Sequence, residues 1–381
     1  MISNYVKLAL RNMRKYRMYA FINILGLAIG MAATILILLF IKYELSYDAY
    51  HSNADRIYRV SREWVDENGK SQLHLGHVAP PIGPLLDNDF EGVIEYVGRI
   101  MAARGTLVEA NGKKFEEDNF FFGENDIFSI FSWNFISGDP QTALEKPGSM
   151  VITAAAAKRY FGDVDVVGEQ MIFNNFGYSF PFQITGVVSD IPANSHFTWD
   201  FMASFRTVEQ AMGDEEMQNW GSNNYSTYIM LEKDNNIAQV ENKIDDFFDE
   251  HLGVSEDGEK PSKYNRLHFW PVKSIHLHSH LDSEIEANGD ISYVYIYGII
   301  ALFTLAIASI NFMNLSTAQS SQRSREVGMR KVLGAVKPAL IGQFLVESVL
   351  FALFGLVLAF GIIAVVLPYV NDFFQRELSI D

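Results

Sequence analysis

The sequence predicts a membrane protein: three transmembrane α-helices with a large α+β extracytoplasmic domain inserted between the first and the second. Three features lead there. Residues 20–41, 291–322 and 348–371 contain no Asp, Glu, Lys or Arg and are mostly apolar, and about 20 mainly apolar residues suffice to cross a bilayer core. The net charge of −16 is unevenly laid out along the 381 residues. Residues 43–290 hold 18 Lys plus Arg against 41 Asp plus Glu, whereas both short segments flanking the spans on the other side are basic. Finally, residues 44–290 alternate strand and helix signals, which suggests a layered α+β structure, and that stretch has ample length for its own core.

The charges also orient the chain. Lys7, Arg11, Arg14, Lys15 and Arg17 precede the first span without an acid, and Arg323, Arg325, Arg330, Lys331 and Lys337 join the second to the third against the single acid Glu326. Lys and Arg near span ends stay on the cytoplasmic side. The N-terminus and the second connector are therefore expected in the cytoplasm, and the acidic residues 44–290 outside. An acidic exported domain is a poor partner for nucleic acid, whose phosphates it would repel. The absence of cysteine fits an exported domain without disulfides and discriminates little.

Residues 2–18 read as an amphipathic helix on the inner membrane surface. Ile2, Tyr5, Val6, Ala9, Met13 and Tyr16 fall at helical spacing, with Lys7, Arg11, Arg14 and Lys15 opposite, as in helices that set cations against anionic headgroups. A plain basic flank is the simpler alternative. The apolar run Ala20–Ile41 is longer than a signal-peptide core and lacks a small-x-small cleavage site, so it reads as a retained anchor. Within it, Gly26 and Gly30 are spaced for close helix approach, either to the other spans or to a second copy.

In the outer stretch, Ile57–Val65 reads as a strand with Tyr58, Val60, Arg62 and Trp64 on one face. Asn111-Gly112 separates Thr106–Ala110 from Lys113–Glu117, a strong hairpin signal. Thr153 is placed to cap a helix over Ala154–Phe161 that Gly162 closes. Ser179–Ser189, Tyr225–Leu231 and Leu267–His276 read as strands, and Ile237–Leu252 as one helix burying Val240, Ile244, Phe247 and Phe248. As a strand, the run from Leu267 would place His276, His278 and His280 on one face, to which His74, His77 and His268 could add. Half-exposed strand histidines need no metal, and no His-Glu-x-x-His spacing accompanies them.

The second and third spans, about 291–315 and 339–370, carry Asn311, Asn314 and Glu347 at or near membrane depth. Such polar groups usually face a bundle interior, here as packing glue. Ala352, Gly355 and Ala359 give the third span a small-residue face. Between the spans, a short helix over Arg325–Leu333 is expected, capped by Gly334. Its apolar edge of Val327, Met329, Val332 and Leu333 is ringed by Arg323, Arg325, Arg330 and Lys331, which suits docking into a groove on a cytoplasmic partner. A basic loop that only fixes topology is the alternative. The sequence contains no Gly-x-x-x-x-Gly-Lys-Ser/Thr phosphate loop, no Gly-x-Ser-x-Gly elbow and no cysteine nucleophile, so no catalytic, metal or cofactor-binding residue is assigned and no cofactor is expected.

At this connector, Ser324-Arg-Glu-Val-Gly-Met-Arg-Lys-Val-Leu-Gly-Ala335 resembles the motif of the MacB/FtsX family of ABC transporter permeases. Tyr43-Glu-Leu-Ser-Tyr-Asp-Ala-Tyr-His51, Asn53-Ala-Asp-Arg-Ile-Tyr-Arg-Val60, Val151–Gly162 and Ile184-Thr-Gly-Val-Val-Ser-Asp-Ile-Pro192 resemble that family's MacB-like periplasmic core, and the order of elements agrees over nearly the whole chain. The resemblance implies residues 1–43 as amphipathic helix and first span, 44–290 as the periplasmic core with a second subdomain inserted at about 113–223, and 291–381 as an FtsX-like permease domain. It makes 324–335 a coupling helix, with Arg325, Glu326, Val327, Gly328, Arg330, Lys331 and Gly334 facing a separate cytoplasmic ABC ATPase subunit. Gly26, Gly30, Asn311, Asn314, Glu347 and Gly355 are then the residues packing the spans.

The implied protein is a multi-pass subunit of the bacterial inner (plasma) membrane, without enzymatic activity of its own. It would turn ATP hydrolysis by its partner into movement of the periplasmic domain, in efflux or export. Further implied partners are a second permease protomer or half, membrane lipid, and a periplasmic adaptor or substrate. In the family a fourth span follows the third; the chain ends at Asp381, so a fragment and a complete chain both stay open. Two other readings compete. One is a membrane-anchored extracytoplasmic ligand sensor without transport activity, and the other a metal-dependent surface enzyme built on His276–His280.

Overall fold

The computed structural model describes residues 2–175, 177–254, 258–322, 328, 329, 332, 337–374, 376 and 378–380. The chain divides into two compact units, one of residues 1–45 with 291–381 and one of residues 46–290. Helices run over Ile2–Lys15 (α1), Arg17–Glu44 (α2), Ile82–Asp89 (α3), Ile127–Ile130 (α4), Ala154–Phe161 (α5) and Phe205–Met217 (α6). They continue with Ala238–Glu241 (α7), Ile244–Leu252 (α8), Val272–His278 (α9), Ile291–Gln322 (α10) and Lys337–Phe374 (α11).

In the first unit, α2, α10 and α11 are each long and apolar enough to cross a membrane. The basic amphipathic helix is a separate element. It stops at Lys15 rather than at residue 18, because Tyr16 (φ −115°, ψ 59°) leaves the helical region before α2 begins. Small residues set how closely the long helices approach. A Cβ on Gly30 would overlap that of Ala308 on α10, and one on Gly355 would lie 2.8 Å from Met31 Cε and 3.1 Å from Leu27 Cβ on α2. Between them Ala20, Leu27 and Phe351 form one buried cluster, and Ala32, Ala359 and Ile363 another. Side chains such as Leu302, Val357 and Val365 stay exposed, which suits helices whose outer faces meet lipid tails as apolar as themselves.

The second unit is built on strands β1 (Ile57–Val65), β2 (Ser71–Leu75), β3 (Ile94–Ala102), β4 (Thr106–Ala110), β5 (Lys113–Glu117), β6 (Phe120–Gly123) and β7 (Phe135–Ser137). The rest are β8 (Ser149–Thr153), β9 (Gln170–Asn175), β10 (Tyr178–Val188), β11 (Phe201–Ser204), β12 (Ser226–Leu231) and β13 (Asn265–Pro271). They form one mixed sheet in the order β13-β1-β12-β3-β6-β11-β8-β10-β9-β4-β5, with β2 beside β1 and β7 beside β10. The pairs β6–β11 and β8–β10 are parallel. Strands from residues 106–204 thus occupy one end, and strands from both flanks of that segment the other. Each end has its own core: Phe120, Phe182 and Phe201 pack on Tyr160 of α5, while Val60, Ile229 and Leu231 pack on Phe247 and Phe248 of α8.

Several elements follow local rules. Asn111 (φ 49°) and Gly112 (φ 72°) both take the left-handed conformation that a two-residue hairpin requires. The Thr153 hydroxyl accepts from Ala156 N at 3.2 Å, and Gly162 ends α5 at φ 84°. The single helix expected over Ile237–Leu252 is two, α7 and α8, broken at Asn242-Lys243, though Val240, Ile244, Phe247 and Phe248 are all buried as predicted. The strand expected over Leu267–His276 ends at Pro271, which has no N–H for the ladder, and the chain turns there into α9.

That turn corrects the reading of the histidine run. His276 lies buried in α9, stacked on Tyr47 with ring centroids 3.3 Å apart. His278 and His280 are exposed. They do not share a strand face, and the metal enzyme built on them loses its geometric basis.

Candidate functional site

The chain enters and leaves the second unit through two segments whose polar side chains are held by buried networks. The entry segment, residues 46–56, is fixed around Asp48. This side chain is fully buried and its backbone sits at φ 56°, a strained region that Asp tolerates better than most residues. Asp48 N donates to Asn194 O at 2.9 Å, and its carboxylate accepts from His196 N at 3.2 Å. His196 Nδ1 lies 2.9 Å from Asp48 Oδ1, and His196 Nε2 is 2.7 Å from Tyr228 Oη on β12.

The neighbours repeat the pattern. Asn194 Nδ2 donates to Ser46 Oγ at 3.0 Å, and Tyr50 Oη shares a 2.8 Å hydrogen bond with Ser195 Oγ. His51 Nδ1 accepts from Ser132 N at 3.1 Å. Burial, partly offset by Asp48, pushes the His51 pKa down to about 4, which keeps the ring neutral and able to accept. Burial likewise pushes the Tyr50 phenol up to about 12.

The exit segment, residues 279–290, is held just as firmly. Arg59, the third residue of β1 and 1% exposed, pairs with Glu284 through both terminal nitrogens and donates to Ser279 Oγ at 2.6 Å. Burial alone would raise the Glu284 pKa, but Arg59 and Ser279 hold it below the usual carboxylate range. Glu286 accepts from Thr198 N at 2.6 Å and from its hydroxyl at 2.8 Å. Arg104 donates to Ile285 O, and Asn288 Nδ2 to Ser279 O at 2.7 Å.

One loop serves both ends. Asn194, Ser195 and His196 grip the entry segment and Thr198 grips the exit segment, while the Tyr47–His276 stack ties the entry segment to α9, which leads into the exit segment. The clasp at 194–198 was invisible to sequence reasoning, because its partners lie about 150 residues upstream and 90 downstream. The only local signal was an unusually polar Asn194-Ser195-His196 between apolar neighbours.

The membrane-unit residues named from the sequence fall into three groups. Gly26, Gly30 and Gly355 face neighbouring helices, and a Cβ on Gly26 would lie 3.4 Å from Asn311 Nδ2. Glu347 is buried beside a cavity of about 240 Å³ lined also by Tyr19, Ser316, Gln319 and Phe344, whereas Asn314 is exposed and Asn311, though its amide lies against Gly26, is exposed as well. Sequence reading passed over Asn23, which is buried in α2 with neither side-chain polar atom hydrogen-bonded. Of the connector, Arg325, Glu326, Val327, Arg330, Lys331 and Gly334 lie outside the described residues; Gly328 is helical and exposed.

In comparisons with known proteins, residues 20–247 match the family model of the MacB-like periplasmic core domain, and residues 298–381 that of the FtsX-like permease C-terminal. The chain belongs to the MacB/FtsX-like family of ABC transporter permeases. The ABC transporter permease YknZ of Bacillus subtilis is 22% identical over 376 residues, which is 94% of this chain and 84% of that protein. The pyoverdine export ATP-binding/permease protein PvdT of Pseudomonas syringae pv. tomato is 22% identical over 69% of this chain, and the macrolide export ATP-binding/permease protein MacB of Aggregatibacter actinomycetemcomitans 23% over 70%. The chain spans 38% of the length of each of these two. A crystallised domain of a permease protein from Porphyromonas gingivalis overlaps 57% of this chain and 90% of its own, at 21% identity and a TM-score of 0.48. Like its family, the chain is a multi-pass membrane protein with an extracytoplasmic domain between its first two membrane helices.

Proposed function

We propose that this chain is the permease subunit of an ABC transporter of the mechanotransmission type. A separate cytoplasmic ATPase binds the connector at 324–335, and its cycle of hydrolysis moves the spans and, through them, the periplasmic domain. The N-terminus and the connector face the cytoplasm of a bacterial cell, the membrane is the inner one, and a second permease protomer or half completes the assembly. The observation that carries this reading is the double anchorage of residues 46–56 and 279–290 on one loop. Two segments bolted to the same buried network convert a shift of either into motion of the domain as a body, whereas slack linkers would absorb it. The likeness to PvdT and MacB, a pyoverdine export and a macrolide export protein by name, favours efflux or export.

Co-purification of the full chain with an ABC ATPase, and assay of that ATPase with and without it, test the proposal. Charge reversal by Arg325→Glu together with Lys331→Glu is expected to cut stimulation at least about fivefold, the low end of ordinary coupling energies. Stimulation untouched by both reversals defeats it.

A further inference from the structure

One constellation has no part in that scheme. β2, β1 and β13 lie side by side, with Glu63 opposite His74 across one pair and Ser61 opposite His268 across the other. Residues two apart on a strand share a face, so Glu63, His74 and His268 emerge together from three adjacent strands. Their ligating atoms all lie within 4.8 Å of one another. His268 Nε2 is 2.8 Å from Glu63 Oε2, and the two imidazoles sit 4.7 Å apart. The three side chains are half-buried, walled on one side by Trp270, whose indole donates to Ser61 Oγ at 3.0 Å.

We propose that Glu63, His74 and His268 form a binding site for a divalent transition ion of the Zn²⁺ class. Two imidazoles and one carboxylate are a recognised zinc donor set, with a fourth position left open to water, whereas Ca²⁺ and Mg²⁺ call for oxygen ligands throughout. Tetrahedral Zn²⁺ with bonds of about 2.0–2.1 Å sets ligand atoms about 3.3 Å apart. Small side-chain rotations reach that spacing from the present one without moving the strands. Second contacts already orient the set: Ser61 Oγ lies 3.0 Å from His74 Nε2, and such outer partners are characteristic of ligating histidines. The ion would staple β1, which follows the entry segment, to β13, which precedes the exit segment.

The test uses the full chain, chelator-stripped and free of any histidine tag, in detergent micelles. Titration with Zn²⁺ alone, followed calorimetrically, and with Co²⁺, followed by its visible absorption, should give one saturable equivalent. His74→Ala and His268→Ala should each weaken binding at least about 100-fold, and the isosteric Glu63→Gln at least about tenfold, the range that even outer-shell losses reach. The paired change His278→Ala with His280→Ala should leave binding unchanged. Wild-type protein without a saturable equivalent below about 100 μM overturns the proposal, as does an equivalent that survives in the His74→Ala/His268→Ala double variant. If the alanine variants do not fold, the wild-type titration and Glu63→Gln decide by themselves.

Discussion

Arg59 shows most clearly how single side chains hold the ends of the outer domain. Its guanidinium is taken out of water on β1 and compensated by Glu284 and Ser279. Breaking such a pair costs more than the pair contributes, because it strands the remaining charge. Arg59→Met is therefore predicted to destabilise the outer domain by about 3–5 kcal/mol, while Lys263→Met, which breaks an exposed pair with Glu259, should leave the midpoint close to that of the wild type. All five tryptophans, Trp64, Trp133, Trp199, Trp220 and Trp270, belong to this domain, so denaturant titration followed by tryptophan fluorescence reads it selectively. Equal midpoints for the two variants contradict the role given to Arg59.

His51 makes the same region sensitive to acid. It faces Asp48 and His196, and its folded pKa is about 4 against 6.5 for the free side chain. Between those values the unfolded chain binds a proton that the folded domain refuses, so stability is complete above about pH 6.5 and falls as pH drops toward 4. The expected slope is on the order of 1 kcal/mol per pH unit from this residue. Denaturation midpoints compared for wild type and His51→Gln across that window should converge at low pH. Parallel curves for the two proteins contradict a neutral buried His51.

At the scale of elements, legibility in the sequence tracked how local the deciding interactions are. β1, the β4–β5 hairpin and α5 were readable because alternation, Asn-Gly and a Thr/Gly pair of caps act within a few residues. α9 was misread because apolar and histidine residues continue the strand pattern past Pro271, and the contacts that reward the helix lie far back in the chain: the stack on Tyr47 and the burial of Val272 and Ile275 in a core with Ala54 and Ile57. The clasp at 194–198 and the order of the sheet depend wholly on distant pairings, which one sequence does not display. For α5 the local rule gives a number: Thr153→Ala should cost about 1 kcal/mol, with some further loss from the 3.0 Å contact to Asp200. Thr153→Ser keeps both hydroxyl bonds and should recover most of it in the same fluorescence assay. A serine variant as unstable as the alanine one places the loss in the methyl group instead of the cap.

For the whole molecule, orientation decides whether the connector can meet the proposed ATPase. Charge alone supports it: a basic N-terminus and connector against a strongly acidic middle, with Lys and Arg retained on the cytoplasmic side. The chain offers a clean probe because it contains no cysteine. Glu116 and Gly328 are both exposed, Glu116 on β5 of the outer unit and Gly328 in the connector, and among the described residues a Cβ at Gly328 meets nothing within 4 Å. In intact cells a membrane-impermeant maleimide should modify Glu116→Cys readily and Gly328→Cys only after the membrane is opened. Both substitutions are on open surface, so neither should disturb the fold by more than about 0.5 kcal/mol. Prompt labelling at position 328 with the membrane intact places the connector outside. A coupling helix there could not reach a cytoplasmic partner, and the basic residues around it would need another explanation.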